Sequence, residues 1–151
     1  MSEAKDTVVI YTDGGCEPNP GVGGWGAILV YRGTERALSG SDPETTNNRM
    51  EMMAAIEALS ALKRPCKIAL YTDSEYLKKG ITEWMPGWKR RNWQRKGGAI
   101  KNIDLWKRLD ALVQQHEIQW RWVKGHAGVH YNERCDILAS EAIARAKMGC
   151  G

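Results

Sequence analysis

The chain has 151 residues, 42% hydrophobic and 26% charged, with 22 Lys and Arg against 18 Asp and Glu for a formal charge of +4. A chain of this length buries roughly 68–70% of its unfolded surface, so one domain over 1–151 is expected and a disulfide- or metal-stapled mini-protein is excluded. Cys16, Cys66, Cys135 and Cys150 show no CxxC or metal-ligand spacing, and no apolar run reaches signal-core or membrane-span length, so a cytoplasmic protein away from membranes is expected.

The charge becomes informative when it is located. Between Lys78 and Lys101 stand eight basic residues and one acid, Glu83, a net +7 that leaves −3 for the other 127 residues. A mildly acidic body bearing one basic block is the footprint of a polyanion binder, although a solvated helix face has the same composition. The seven Trp and five Tyr, with no Phe, also need a use. Trp84, Trp88 and Trp93 fall inside the basic block.

In chain order, TVVIYTD at 7–13 reads as a strand that enters a turn at Gly14-Gly15. GWGAILVYR (24–32) and TERALSG (34–40) read as two more strands joined at Gly33. NRMEMMAAIEALSALKR then has helical spacing up to Pro65, and CKIALYTDS (66–74) returns to strand. SEYLKKGITEW reads as a helix weakened at Gly80, with Pro86-Gly87 separating it from the basic block. NIDLWKRLDALVQQHE is a helix, IQWRWVKG at 118–125 an alternating strand, and Asn132 to about Lys147 a last helix. The order implies an α/β fold: a five-stranded mixed sheet, an antiparallel meander extended by parallel strands through helical crossovers.

VVIYTDG (8–14) and IALYTDS (68–74) repeat one pattern. Parallel strands joined by a helix tend to be neighbours, which sets Asp13 beside Asp73 at the carboxyl ends, where open α/β sheets place their sites. Two carboxylates about 4 Å apart repel by roughly 4 kcal/mol at an effective dielectric near 20, and a divalent cation removes that repulsion. Glu51 shares the stripe of Ala54, Ala55, Ala58 and Leu62, and Asp136 lies beside the stripe of the last helix. Each of the four also has a plain reading, a turn for the aspartates on the strands and a favourable helix dipole for the others. Together they suit hard cations such as Mg²⁺, two of which can serve phosphodiester hydrolysis.

His126, in KGHAG, suits a proton shuttle or product gate, or is a loop histidine without a role. Trp84 and Trp88, four apart, can be ligands or can pack on Trp106. The cations of the block, Lys89, Arg90 and Arg91 among them, offer phosphate contacts. Asn19, Thr46, Asn47 and Asn48 can donate to sugars, bases or phosphates, or can cap and turn the backbone.

YTDGGCEPNPGVGGWGA, TTNNRMEMMAAIEAL, YTDSEYLKKGITEW, WKRRNW, KNIDLW and VKGHAGVHYNERCD, in that order, closely resemble the bacterial type 1 ribonuclease H pattern over roughly residues 7 to 146. The resemblance implies a ribonuclease H-like fold and an endonuclease that cuts the RNA strand of an RNA/DNA hybrid, leaving 5′-phosphate and 3′-hydroxyl ends. It implies Asp13, Glu51, Asp73 and Asp136 as ligands of Mg²⁺, with Mn²⁺ as a substitute and two ions when substrate is bound, and His126 as an aid to proton transfer or product departure. Cys16, Asn19, Asn47 and Asn48 would line the minor groove, Thr46 and Asn102 would grip a DNA phosphate, and 84–101 would be the basic protrusion along the DNA backbone.

Two places depart from the pattern. Glu75 stands where Gln is expected, and an ionised acid cannot donate; VHY at 129–131 replaces a Pro-containing loop. No counterpart of the separate N-terminal hybrid-binding domain of many eukaryotic relatives is visible, so binding is expected to rest on this domain. Two rival readings are a non-catalytic nucleic-acid binding module and a DNA-directed or integrase-like nuclease on the same fold. The complete set of carboxylates argues against the first, and the Asn-rich groove residues argue against the second.

Overall fold

The computed structural model describes residues 6–95, 97–124 and 130–149. Three strands come first, β1 (Thr7–Cys16), β2 (Gly21–Tyr31) and β3 (Thr34–Thr45), paired antiparallel in sequence. β4 (Lys67–Thr72) adds parallel to β1, and β5 (Glu117–Trp122) adds parallel to β4, giving the order β3-β2-β1-β4-β5. This is the expected mixed sheet, but its first strands are longer than expected. Gly14 and Gly15 do not turn the chain; they pair with Trp25 and Gly24. β3 continues past Gly40 and through Pro43, which an edge strand tolerates because one row of its backbone groups needs no partner.

The described residues form five α-helices, α1 (Asn47–Ser60), α2 (Glu75–Lys79), α3 (Met85–Arg90), α4 (Ile103–Gln115) and α5 (His130–Lys147), of which α1, α4 and α5 touch the sheet. Thr46 caps α1, its hydroxyl accepting the Arg49 N–H at 3.2 Å. Ala54, Ala55 and Ala58 of α1 are fully buried, and their small side chains let the helix lie between the sheet and α4. α5 packs on β1, β2 and β3. Ile10, Ile68 and Leu70 from the sheet, Ile56 and Leu59 from α1, and Trp106 and Leu109 from α4 belong to one apolar core.

Pro86-Gly87 does not break the chain as expected. Helical backbone runs from Glu75 to Arg90 by way of a π turn at Gly80–Trp84, where the Met85 N–H reaches the Gly80 carbonyl. The wider turn accommodates Pro86, which has no N–H and in an ordinary helix would crowd the carbonyl four residues back. Gly80 is needed for packing, since a Cβ there would overlap the Trp106 ring. Trp84 and Trp88 close over the same ring, at 6.5 and 5.9 Å between centroids.

Gly80→Ala should therefore lower stability by about 1–3 kcal/mol, because Trp106 is fully buried and has little room to move. The change would be read as a lower urea midpoint at unchanged slope. A wild-type midpoint would show that the Gly80–Trp106 contact is not tight.

Candidate active site

The register of β1 and β4 pairs Tyr11 with Tyr71. Side chains alternate along a strand, so two residues on, Asp13 and Asp73 lie on the same face at the carboxyl edge of the sheet. Asp73 immediately follows β4 and is half-buried, while Asp13 is 8% exposed. Two helices add one carboxylate each. A Cβ on Gly14 would overlap the Met50 backbone and come within 2.6 Å of the Glu51 nitrogen, so α1 can seat its first turn on β1 only because residue 14 is glycine. On the other face, a Cβ on Gly26 would lie 2.6 Å from the Cys135 carbonyl, and one on Gly24 2.6 Å from that of Ala139. Gly26 is the cross-strand partner of Asp13, so the close seat of α5 brings Asp136 toward the same edge.

The electrostatics follow from this crowding. Burial, then the charge of Asp73, pushes the Asp13 carboxyl from 3.8 up to about 8, with Asp136 and Glu51 adding to the rise and the Gly14 N–H, 3.0 Å away, opposing it. Burial likewise raises Glu51 to about 7, against a 2.8 Å hydrogen bond donated by the Ser74 hydroxyl. Ser74 also caps α2, accepting the Leu77 N–H at 3.0 Å. Burial pushes the Cys135 thiol up to about 12, and it donates to the Tyr11 carbonyl.

All four groups are hard oxygen donors, and two of them resist ionising in each other's company, which is the chemistry a divalent cation relieves. Among the described residues, no three His, Cys, Asp or Glu side chains already enclose an ion-sized site. His126 lies outside the described residues. A cavity of about 1070 Å³ lies at the opposite end of the sheet, with Val8, Leu62, Arg64 and Lys67 in its wall.

The polar groups expected to touch a ligand cluster beside α1. Asn19 accepts the Asn47 N–H at 3.2 Å, and the Cys16 thiol donates toward the carbonyls of Pro18 and Thr45, at 3.1 and 3.3 Å. Asn47 and Asn48 open α1 behind the Thr46 cap. Asn102, left-handed at the start of α4, donates to the Tyr76 hydroxyl at 2.9 Å and accepts from Arg49 at 3.1 Å. Arg49 also grips Asp104 with both nitrogens. Sequence reasoning missed Arg49, Tyr76 and Ser74. Arg49 lies three residues past Thr46 and Ser74 directly follows Asp73, so their nearness to the motifs was the available signal.

Trp84 and Trp88 are half-buried and meet Trp106 edge to face, with Trp93 beyond them and Lys107 over its ring at 5.8 Å. Packing on Trp106, the plainer of the two readings, is where both rings are found. Arg90 and Arg91 are exposed at the end of α3, but Lys89 bonds Asp110 of α4 at 2.9 Å. Counting acids within the segment alone left Asp110 out.

An acid whose folded value is raised binds more protons folded than unfolded, so its contribution to stability is present below about pH 4 and is lost as pH rises through about 8. Asp13→Asn should therefore raise Tm in metal-free buffer by about 3–8 °C at pH 8 and change it little near pH 4. Thermal melts across that range, with chelator present, would show the difference growing with pH; a constant difference would mean that Asp13 is not destabilised by its surroundings.

Residues 5–144 match the RNase H family model. The ribonuclease H of Granulibacter bethesdensis is 61% identical over 143 residues, 94% of this chain and 95% of that one. The ribonuclease HI of Pseudomonas aeruginosa is 58% identical over 141 residues, 93% and 95% of the two chains. Among solved structures, LC9-RNase H1, described as a type 1 RNase H with the type 2 active-site motif, superposes with a TM-score of 0.82 at 34% identity, covering 95% of this chain and 75% of that one. LC11-RNase H1, solved in complex with an RNA/DNA hybrid, shares the fold with a TM-score of 0.71 at 23% identity, over 92% and 98% of the two chains. With a family model spanning nearly the whole chain and relatives this similar along their full length, the protein belongs to the RNase H family.

Proposed function

We propose that this protein is an endoribonuclease that hydrolyses the RNA strand of RNA/DNA hybrids, leaving 5′-phosphate and 3′-hydroxyl ends, and that it works as a one-domain cytoplasmic monomer. The observation that carries this reading is the gathering of four carboxylates at one sheet edge, where burial and then the charge of Asp73 raise Asp13 to about 8. Asp13, Glu51, Asp73 and Asp136 would hold Mg²⁺, or Mn²⁺ in its place, as two ions with substrate bound. Such ions supply an activated water and a neutralised leaving oxygen. Ser74 fixes the Glu51 carboxylate through its hydroxyl, and His126 carries a proton or eases product departure.

The hybrid lies across the cluster beside α1. Cys16, Asn19, Asn47 and Asn48 face the minor groove and its ribose 2′-hydroxyls, the feature that distinguishes RNA from DNA. Thr46 and Asn102, already joined through Arg49, meet a phosphate of the DNA strand. Arg90 and Arg91 follow the DNA backbone, while Trp84 and Trp88 serve by fastening their helix to α4. No helix among the described residues is long and apolar enough to cross a membrane.

One labelled sequence prepared as hybrid, duplex DNA and duplex RNA, each with and without Mg²⁺, tests the reading. Cleavage should be confined to the RNA strand of the hybrid and should require the ion. Asp13→Asn should abolish cleavage yet still shift the hybrid on a gel. Normal turnover by that variant would remove the assignment, and equal cutting of duplex DNA would favour a DNA-directed nuclease.

Replacing Arg90 and Arg91 with Ala should weaken hybrid binding and reduce its salt dependence by up to about 0.9 log units per lost phosphate contact, a slope taken from duplex DNA. Lys89→Ala should weaken binding less, because that ammonium is already paired with Asp110. An unchanged KM and salt slope in the double variant would show that α3 does not touch the substrate.

A further inference from the structure

Three tyrosine rings form a column beneath the carboxylate edge. Tyr71 of β4 stacks on Tyr11 of β1 at 5.0 Å and 20°, and Tyr11 stacks on Tyr131 of α5 at 4.5 Å and 16°. Two of these rings stand two residues before Asp13 and Asp73, and the third stands five residues before Asp136. The Tyr131 hydroxyl donates to Glu35 of β3 at 2.7 Å, and Arg134 donates to the other oxygen of the same carboxylate, also at 2.7 Å. The Arg134 guanidinium in turn lies over the Tyr131 ring, 5.4 Å from its centre.

We propose that Tyr131 is a positioning residue whose stack on Tyr11 and hydrogen bond to Glu35 set where Asp136 stands relative to Asp13, and thereby how tightly that edge holds a divalent cation. The proposal rests on the reading that these carboxylates are metal ligands. Asp136 is exposed and lies between two attachments of α5. Before it come Tyr131, Arg134 and the Cys135 carbonyl, which rests against Gly26; after it, the Ala139 carbonyl rests against Gly24. The glycine contacts fix the height of the helix over the sheet but not its roll about its own axis. A roll of about 20° carries a side-chain tip at a radius of about 5–6 Å through about 2 Å, whereas a bound metal tolerates only about 0.2 Å in its ligand distances. The ring column and the Glu35 tie resist that roll.

The test is calorimetric titration of Mn²⁺ into the metal-free full chain, with kcat and KM on a hybrid measured in parallel. Tyr131→Ala should weaken Mn²⁺ binding about tenfold, the lower end of the range for groups that support metal ligands. Its kcat should fall at limiting Mn²⁺ and recover at saturating Mn²⁺, with KM for the hybrid unchanged. Tyr131→Phe, which keeps the stack but loses the bond to Glu35, should fall between wild type and the alanine variant. Should the alanine variant not fold, Tyr131→Leu supplies apolar bulk without a stacking ring and should show the same loss. Wild-type Mn²⁺ affinity in a folded Ala or Leu variant, even one with a lower Tm, would overturn the proposal. Asp136→Asn separates the two readings: if it too binds Mn²⁺ as wild type does, the assignment of Asp136 as a ligand is what has failed.

Discussion

At two places, helix backbone rests directly on strand backbone. α1 touches β1 at Gly14, and α5 touches β2 at Gly24 and Gly26. Any side chain at these positions would hold the helices away from the sheet, and Glu51 and Asp136 ride on the turns that make the contact. The carboxylate edge is thus a product of interhelical and helix-sheet distances, with strands contributing Asp13 and Asp73 and the two close seats contributing the rest. Burial of Asp13 and Glu51 follows from the same approach, and their reluctance to ionise follows from the burial. The site and the core are therefore specified by the same three positions.

The opposite sign of charge is arranged by a different device. The basic helix stands off the body on aromatic rings, with Trp84 and Trp88 seated on Trp106, so cations are displayed without any being buried. One of them, Lys89, is tethered to α4 through Asp110. The protein gathers four carboxylates at one sheet edge, Asp13 among them buried, and displays Arg90 and Arg91 exposed. A polyanion would meet the second as a surface and the first only through intervening cations.

Much of this was legible along the chain. The repeated Tyr-Thr-Asp, with a helix between its two copies, was enough to set Asp13 beside Asp73, and the alanine stripe was enough to turn Glu51 inward. The mixed sheet followed from the element order. What could not be read depended on partners remote in sequence. Gly14 and Gly15 have the composition of a turn, and only the neighbouring strand and the helix above them make them part of β1. Ser74 caps α2, and its hydroxyl also bonds a carboxylate 23 residues away, which no local pattern shows. Asp110 was invisible to a charge count confined to the block it helps neutralise. The packing of Trp84 and Trp88 depends on Trp106, which lies beyond the block in sequence.

The π turn at Gly80–Trp84 carries one residue more than an ordinary helical turn, so everything after it is turned by about 100° relative to a regular helix. That single offset decides which way the last turns face. With it, Trp88 packs against Trp106 while Arg90 and Arg91 stay exposed; without it, all three would point about a quarter-turn away from where they do. The direction of the positive field is thus encoded by a packing contact several residues upstream, and a change that regularised the helix would redirect it while leaving composition, net charge and every basic residue as they are.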